Sequence, residues 1–597
     1  MALKRILRLL GLFIALLLLL QVFGGTAVFA REETDPEDFI RRIGKETILA
    51  ALYEADIPSL RKAIDLRLVS CVELTQYYLD RIEAYNDDYN CFITMCDNAL
   101  EKAKACDRQL IEGTATGRLF GIPIVVKDNI HYEGYPTTNG YSKRYASVST
   151  GNAQIVEYIL AEGGIVLAKS NMSAGALASR ESRSAVCETK NAYNPHLSSG
   201  GSSGGSAVAT SLNFTAAALG TDTNASLRYP AALAGCVSLR VTSGMLSRDG
   251  IIRLNPARDV PGAITRSVYD QALMLDILSG GKTGYTDALD ASVLSGLRLG
   301  ILQELTYPTR HHYLRTEANM DAEVITAFEN AVRELEALGA QVIPVSIPDL
   351  FSLSKATSTQ KTAASRQTLY KQLKKKMEEA NVSALIFPTY SSTPLRSGKD
   401  SSEKNWDPYK QTYLLNCAQV SPSSGMPEIS VPIGVHSLGA GIGMEIAALN
   451  NEEQLLLNIA YGYTSQYDHR VIPEGAPNLH EKTMSLADIF AAYESYLICL
   501  EQLPALAQID CSVEDMQTLC RLVPWCEENL ERELALSLPI GKLFRPLGPQ
   551  TDPDPPQTPV WIWWAGFGCG VGLLILVTAY RLHKRRQVAA SASEATP

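Results

Sequence analysis

Three polar residues could do covalent chemistry in this sequence: Lys127 at the end of GIPIVVKDNI, Ser202 inside GGSSGGS, and Ser226 in GTDTNASLR. A serine hydroxyl becomes a nucleophile only when a nearby base takes its proton. Histidine, the usual base, is scarce, with eight in 597 residues. A lysine serves instead where burial lowers its pKa from about 10.4 toward neutrality. Lys127 follows the apolar run IPIVV, with Asp128 and Asn129 as polar company. Taken alone, a strand-end lysine is more often a surface residue, and the residues by themselves leave both readings open.

The glycine-serine run at 198–206 is not a linker, because the small and apolar AVATSLNFTAAALG follows it as a packable helix and strand start. A phosphate loop would need a lysine and then Ser or Thr after the last glycine, and none is present. The spacing of a dinucleotide-binding turn also fails in detail. What remains is a backbone-rich pocket that positions serine hydroxyls.

These residues need a scaffold, and the chain between 36 and 470 reads as helix alternating with strand. CVELTQYYLDRIEAYN and NALEKAKACDRQL carry apolar residues three and four apart, the mark of amphipathic helices. GIPIVVKDNI and GGIVLAKSNM read as buried strands, and VITAFENAVRELEALGAQVIPVSIP as helix, glycine stop and strand. This is an α/β pattern with a central sheet.

Together GIPIVVKDNI, GGSSGGSAVA and GTDTNASLRYPAALAGCVSLRVTSGMLSRDGI resemble the amidase signature family, as do GYPTTNG, PGAITRSVYD, SGMPEISVPIG and GIGMEIAALNN. The resemblance spans roughly residues 40 to 470. It implies an α/β/α sandwich with a large mixed, twisted central sheet flanked by helices, and no metal or organic cofactor. The family's Ser-Ser-Lys triad falls on Lys127, Ser202 and Ser226, at the separations that the family pattern implies. Ser202 is expected in a cis peptide bond. Lys127 would draw a proton from Ser202, which draws one from Ser226, and Ser226 attacks an amide carbonyl. Backbone N–H groups of Thr223, Asn224, Ala225 and Ser226 would hold the oxyanion, with Ser203, Asp222 and Arg228 in support. The implied substrate is a small-molecule, lipid or peptide amide, and the variable acyl pocket is expected around Phe351 to Tyr413. Tyr390, Met426 and Met444 could line it or simply pack the core.

The family's usual Gly-Gly-Ser is here Asn224-Ala225-Ser226. Alanine tolerates positive φ poorly, so a turn needing it at Ala225 would be distorted. Asn224 also heads a glycosylation sequon, as do Asn171, Asn213 and Asn381, and Asn224 is expected to be buried and unmodified. Two other functions fit: a noncatalytic surface binding module that retains the fold, and an amidotransferase A-subunit-like protein.

The ends differ from the middle. Basic residues precede an apolar run within residues 1–30, the order of a signal peptide or signal anchor. The family domain is then expected over 31–499, an appendage of helices over 500–545, and an extended stalk over 546–559, where six of fourteen residues are proline. Residues 560–580 carry no charge and would cross a bilayer, leaving 581–597 as a cytoplasmic tail. The expected location is the cell membrane, with the catalytic domain outside the cytoplasm. A net charge of −10 argues against a nucleic-acid partner. Cys91 and Cys96 lack a second pair to complete a zinc site, and Cys511, Cys520 and Cys526 are close enough in sequence to staple the appendage.

Overall fold

Runs of valine, isoleucine and alanine punctuated by glycine build the centre of the protein. The computed structural model describes residues 36–281, 283–309, 314–360, 363–397 and 414–507. In chain order the strands are β1 (Phe92–Met95), β2 (Pro123–Lys127), β3 (Ile165–Ser170), β4 (Ala217–Asp222), β5 (Val237–Arg240), β6 (Val260–Thr265), β7 (Arg298–Leu302), β8 (Gln341–Val345), β9 (Ala384–Pro388), β10 (Glu428–His436) and β11 (Ala440–Ala447). Among the described residues these eleven form one mixed sheet in the order β1-β3-β2-β4-β6-β5-β10-β11-β9-β7-β8. β2 runs parallel between β3 and β4, with Val126 opposite both Lys169 and Leu219. β2, β3 and β4 are buried at every position, as expected of parallel strands covered on both faces.

The small residues after the glycine-serine run form a fully buried helix, Gly204–Ser211. Ala207 joins Leu227, Ala231, Ala234, Cys236 and Ile264 in one apolar cluster. Such close packing depends on Gly220, where an added Cβ would lie 2.7 Å from Leu227 Cδ2 and 2.9 Å from Ser203 Oγ. A second cluster, with Leu302, Leu305, Leu369, Phe387 and Met426, fills the space near β7 and β9. The helices expected at CVELTQYYLDRIEAYN, NALEKAKACDRQL and VITAFENAVRELEA are present as Cys71–Tyr89, Ala99–Ile111 and Ala322–Ala337.

Gly44–Phe490 forms one compact unit; the second, where described, comprises 36–43 and 491–507. In the second, the Phe39 ring meets Tyr493 at 4.8 Å and Tyr496 at 5.5 Å. The expected signal segment, stalk, membrane helix and tail, and Cys511, Cys520 and Cys526, lie outside the described residues. Among the described residues no helix is long and apolar enough to cross a membrane. The two longest show why: Leu486–Ala507 contains Asp488, Glu494 and Glu501, and Cys71–Tyr89 contains six charged side chains.

Candidate active site

Burial and register place the lysine. Lys127 is the last residue of β2 and is fully buried. Its Nζ donates to Ser202 Oγ at 2.8 Å, Ser203 Oγ at 2.8 Å and Thr221 Oγ1 at 2.9 Å. No carboxylate lies within ion-pair distance among the described residues. Burial therefore dominates over the more distant charges of Asp222 and Asp259 and brings the amine down to about 7. At neutral pH a large fraction of Lys127 is a free amine, able to accept a proton across its direct contact with the Ser202 hydroxyl.

Ser202 sits on a loop pinned from several sides. The Gly201–Ser202 peptide is cis. A Cβ on Gly201 would come within 2.4 Å of the Glu181 carbonyl oxygen, so only glycine fits there. Ser182 Oγ donates to Gly200 O at 3.0 Å and accepts from Gly204 N at 2.7 Å, and Ser173 N donates to Ser202 O at 3.2 Å. Ser203 N donates to Ser226 O at 3.2 Å, which ties this loop to the second serine. The Ser202 and Ser226 hydroxyls are not hydrogen-bonded to each other.

The turn from Thr223 to Ser226 follows β4 directly. Among the described residues, none of its four amide N–H groups donates to another group. Neither Asn224 nor Ala225 has positive φ. The Asn-Ala pair therefore fits this turn without the strain that its departure from Gly-Gly suggested. Asn224 is exposed, contrary to the burial expected for it, because the Ala225 side chain takes the inward position and Asn224 points the other way. Its carbonyl accepts from Arg228 Nη2 at 3.0 Å. Since glycine is not required, Ala225→Gly should cost about 0.5–1 kcal/mol of stability and leave the reactivity of Ser226 within about threefold. Thermal melts and labelling rates with a serine-directed phosphonate check this, and a large gain in reactivity would contradict it.

Below the turn lies a buried charge network. Arg228 Nε meets Asp222 Oδ2 at 3.1 Å, and Arg228 Nη1 contacts Glu428 and lies 3.2 Å from Glu445 Oε2. Arg240 Nη1 meets Asp222 Oδ1 at 3.2 Å. All five side chains are buried. Burial works to raise Asp222, but Arg228 and Arg240 outweigh it and hold the carboxyl below its usual range. Glu428 is pushed well up, first by burial and then by Glu445 beside it, against the pull of Arg228. Thr223 Oγ1 donates to Asp259 Oδ1 at 2.5 Å, and Asp259 Oδ2 accepts from Leu254 N and Asn255 N. The turn is thus braced from two sides.

All nine site residues expected from the sequence lie on this loop, strand end and turn. Thr221, Arg240, Asp259, Glu428 and Glu445 were missed. Thr221 could have been found from GTDTNAS, since it sits near the end of the strand parallel to that of Lys127. The other four come from segments whose proximity no local pattern reveals. Tyr390, Met426 and Met444 are core residues, at 1%, 0% and 0% exposure, and Tyr390 OH donates to Gly441 O at 2.8 Å. Residues 398–413 of the expected acyl pocket lie outside the described residues. A cavity of about 560 Å³ includes Val237, Arg266 and Pro432 in its lining, at the opposite end of the central strands from Ser226. Among the described residues no acidic, His or Cys cluster could hold a metal, and seven cysteines carry free thiols.

The mixed sheet and a serine-lysine centre on a glycine-rich loop define an amidase-type α/β protein. Residues 73–360 and 349–457 match the Amidase family, and the chain belongs to that family. Its sequence is similar to the A subunit of glutamyl-tRNA(Gln) amidotransferase from Caldanaerobacter subterraneus, 29% identical over 71% of this chain and 98% of the relative. It is also similar to that from Thermosynechococcus vestitus, 30% identical over 68% and 97%. Its fold is similar to native peptide amidase from Stenotrophomonas maltophilia, with TM-score 0.60, 24% identity and coverage of 71% and 99%. A similar match, with TM-score 0.59, 22% identity and coverage of 71% and 99%, is to 6-aminohexanoate cyclic dimer hydrolase. The expected cell-membrane location, with an extracytoplasmic catalytic domain, is corrected by these findings. The relatives matched over about 70% of the chain are amidotransferase A subunits, and the described helices carry too much charge or are too short to span a bilayer.

Proposed function

We propose that this protein hydrolyses a carboxylic amide through an acyl-enzyme on Ser226, with Lys127 and Ser202 as the proton relay. The observation that carries this reading is a buried Lys127 amine near neutrality, 2.8 Å from the Ser202 hydroxyl. Neutral Lys127 takes the Ser202 proton as Ser202 takes that of Ser226. Ser226 Oγ attacks the carbonyl carbon, and the resulting oxyanion is received by the free amides of residues 223–226. The C–N bond breaks as the relay returns a proton to the departing nitrogen. Water then repeats the sequence on the ester, releasing acid and free enzyme. The names of the sequence relatives favour a second reading, in which the same acyl transfer releases ammonia within an amidotransferase assembly.

Intact mass after exposure of the full-length chain to a fluorophosphonate tests the serine chemistry. A single adduct, absent in Ser226→Ala, is expected. A folded parent with no adduct would leave the fold as a binding module. Release of ammonia from a simple amide by the chain alone separates the hydrolase from the assembly-dependent reading.

A further inference from the structure

Three guanidinium groups converge beside the turn, and among the described residues none of them forms an ion pair. Arg248 Nη1 donates to Pro256 O, and Arg366 Nη1 donates to the adjacent Ala257 O. Arg258 follows immediately and is 6% exposed. Its Nη2 reaches Ser423 Oγ at 3.4 Å, while Arg258 Nε and Arg366 Nε are buried without a partner. An added Cβ on Gly425 would lie 2.6 Å from Arg366 Nη2, so the glycine there gives this guanidinium its seat.

Among the described residues no carboxylate forms an ion pair with any of the three. The acids whose charges reach Arg258 are engaged elsewhere: Asp222 with Arg228 and Arg240, and Asp259 with Thr223 and two backbone amides; Asp249, next to Arg248, pairs with Arg253. Burial and the neighbouring Arg366 charge bring Arg258 down to about 10, and burial with the Arg248 charge lowers Arg366 as well. Repulsion between the buried Arg258 and the half-buried Arg366 beside it is unfavourable, and a planar guanidinium with a free Nε–H is shaped for a carboxylate or phosphate oxygen.

The cluster also adjoins residues that contact the turn and Lys127. Arg258 precedes Asp259, which holds Thr223 at the start of the oxyanion turn. Arg248 lines a small cavity together with Thr221, Thr223 and Asp259, and Thr221 is itself a partner of Lys127.

We infer that Arg248, Arg258 and Arg366 form an anion subsite that selects amides carrying a carboxylate near the scissile bond. This deepens the amide-hydrolase reading and rests on it. A substrate anion would supply the charge that the fold omits, orient the carbonyl toward Ser226, and be recognised more weakly as salt rises.

The test compares two probes that differ only in charge, succinamate and neutral succinamide, by calorimetric titration into full-length Ser226→Ala protein. Succinamate is expected to bind at least about tenfold tighter, and a buried ion pair of this kind makes Arg258→Gln and Arg366→Gln each lose about tenfold or more for succinamate alone. Equal binding of the two probes to the parent overturns the subsite whether or not either variant folds. So does unchanged succinamate binding in folded variants. Inorganic phosphate as a competitor supports a general anion site if it displaces succinamate. Fluorophosphonate labelling of the unmodified chain separates the two claims. An adduct without probe discrimination keeps the hydrolase and removes the subsite, and discrimination without an adduct keeps the subsite and removes the nucleophile.

Discussion

Lys127→Met is expected to lower amide hydrolysis by about 10⁴-fold or more while the protein stays folded, the magnitude typical for loss of a nucleophile's activating base. The change removes the only amine within hydrogen-bond distance of Ser202 Oγ among the described residues and leaves the carbon chain in place. In the parent, kcat/KM should fall about tenfold per pH unit below the amine value of about 7, because protonated Lys127 has no lone pair to offer. Stability moves in a related way. The folded amine lies near 7 and the unfolded one near 10.4, so between those values the unfolded chain binds more protons and stability rises with pH. Below about 7 the full cost of burying the cation is present. Lys127→Met escapes that cost, partly offset by the hydroxyls it orphans, and should be more stable than the parent at pH 6 by about 1–3 kcal/mol. Denaturant titrations at pH 6 and 10 check this. A variant that loses activity and is also destabilised at pH 6 would make the lysine structural rather than catalytic.

Arg228→Met should cost about 3–5 kcal/mol of stability near pH 7, because it leaves Asp222, Glu428 and Glu445 buried around an absent cation. Without Arg228 the Asp222 carboxyl loses the first of the charges that hold it down and Glu428 is pushed up further, so the folded variant takes up more protons than the unfolded chain. Its deficit should therefore shrink as pH falls from 7 toward 5. Adding Glu428→Gln should recover part of the loss, since it removes one of the stranded carboxyls. Urea titrations of the single and double variants at two pH values measure both effects. A deficit below about 1 kcal/mol that does not depend on pH would show that Arg228 does not neutralise the network.

The sequence by itself determined the alternation of helix and buried strand, because apolar period and glycine punctuation are local properties; its motifs carried the resemblance to the family, and through that resemblance pointed to Lys127, Ser202 and Ser226. It misled on two points. Residue order alone could not show which way Asn224 faces, since that depends on Ala225 taking the interior side of the turn. The apolar end segments suggested a membrane location that neither the described helices nor the matched relatives support.

Only the tertiary structure decided that Lys127 is a buried amine with a lowered pKa rather than a surface cation. Its pKa is set by burial between β3 and β4 against the charges of Asp222 and Asp259, and its three hydroxyl partners lie 75, 76 and 94 residues away along the chain. The same holds for the braces and for the arginines that form no ion pair among the described residues. Glu428 and Glu445 reach Arg228 only because β10 and β11 pair, and Arg366 reaches the carbonyl of Ala257, next to Arg258, across 109 residues of chain. Charge balance inside a protein is set by what packs together, and adjacency in sequence does not record it.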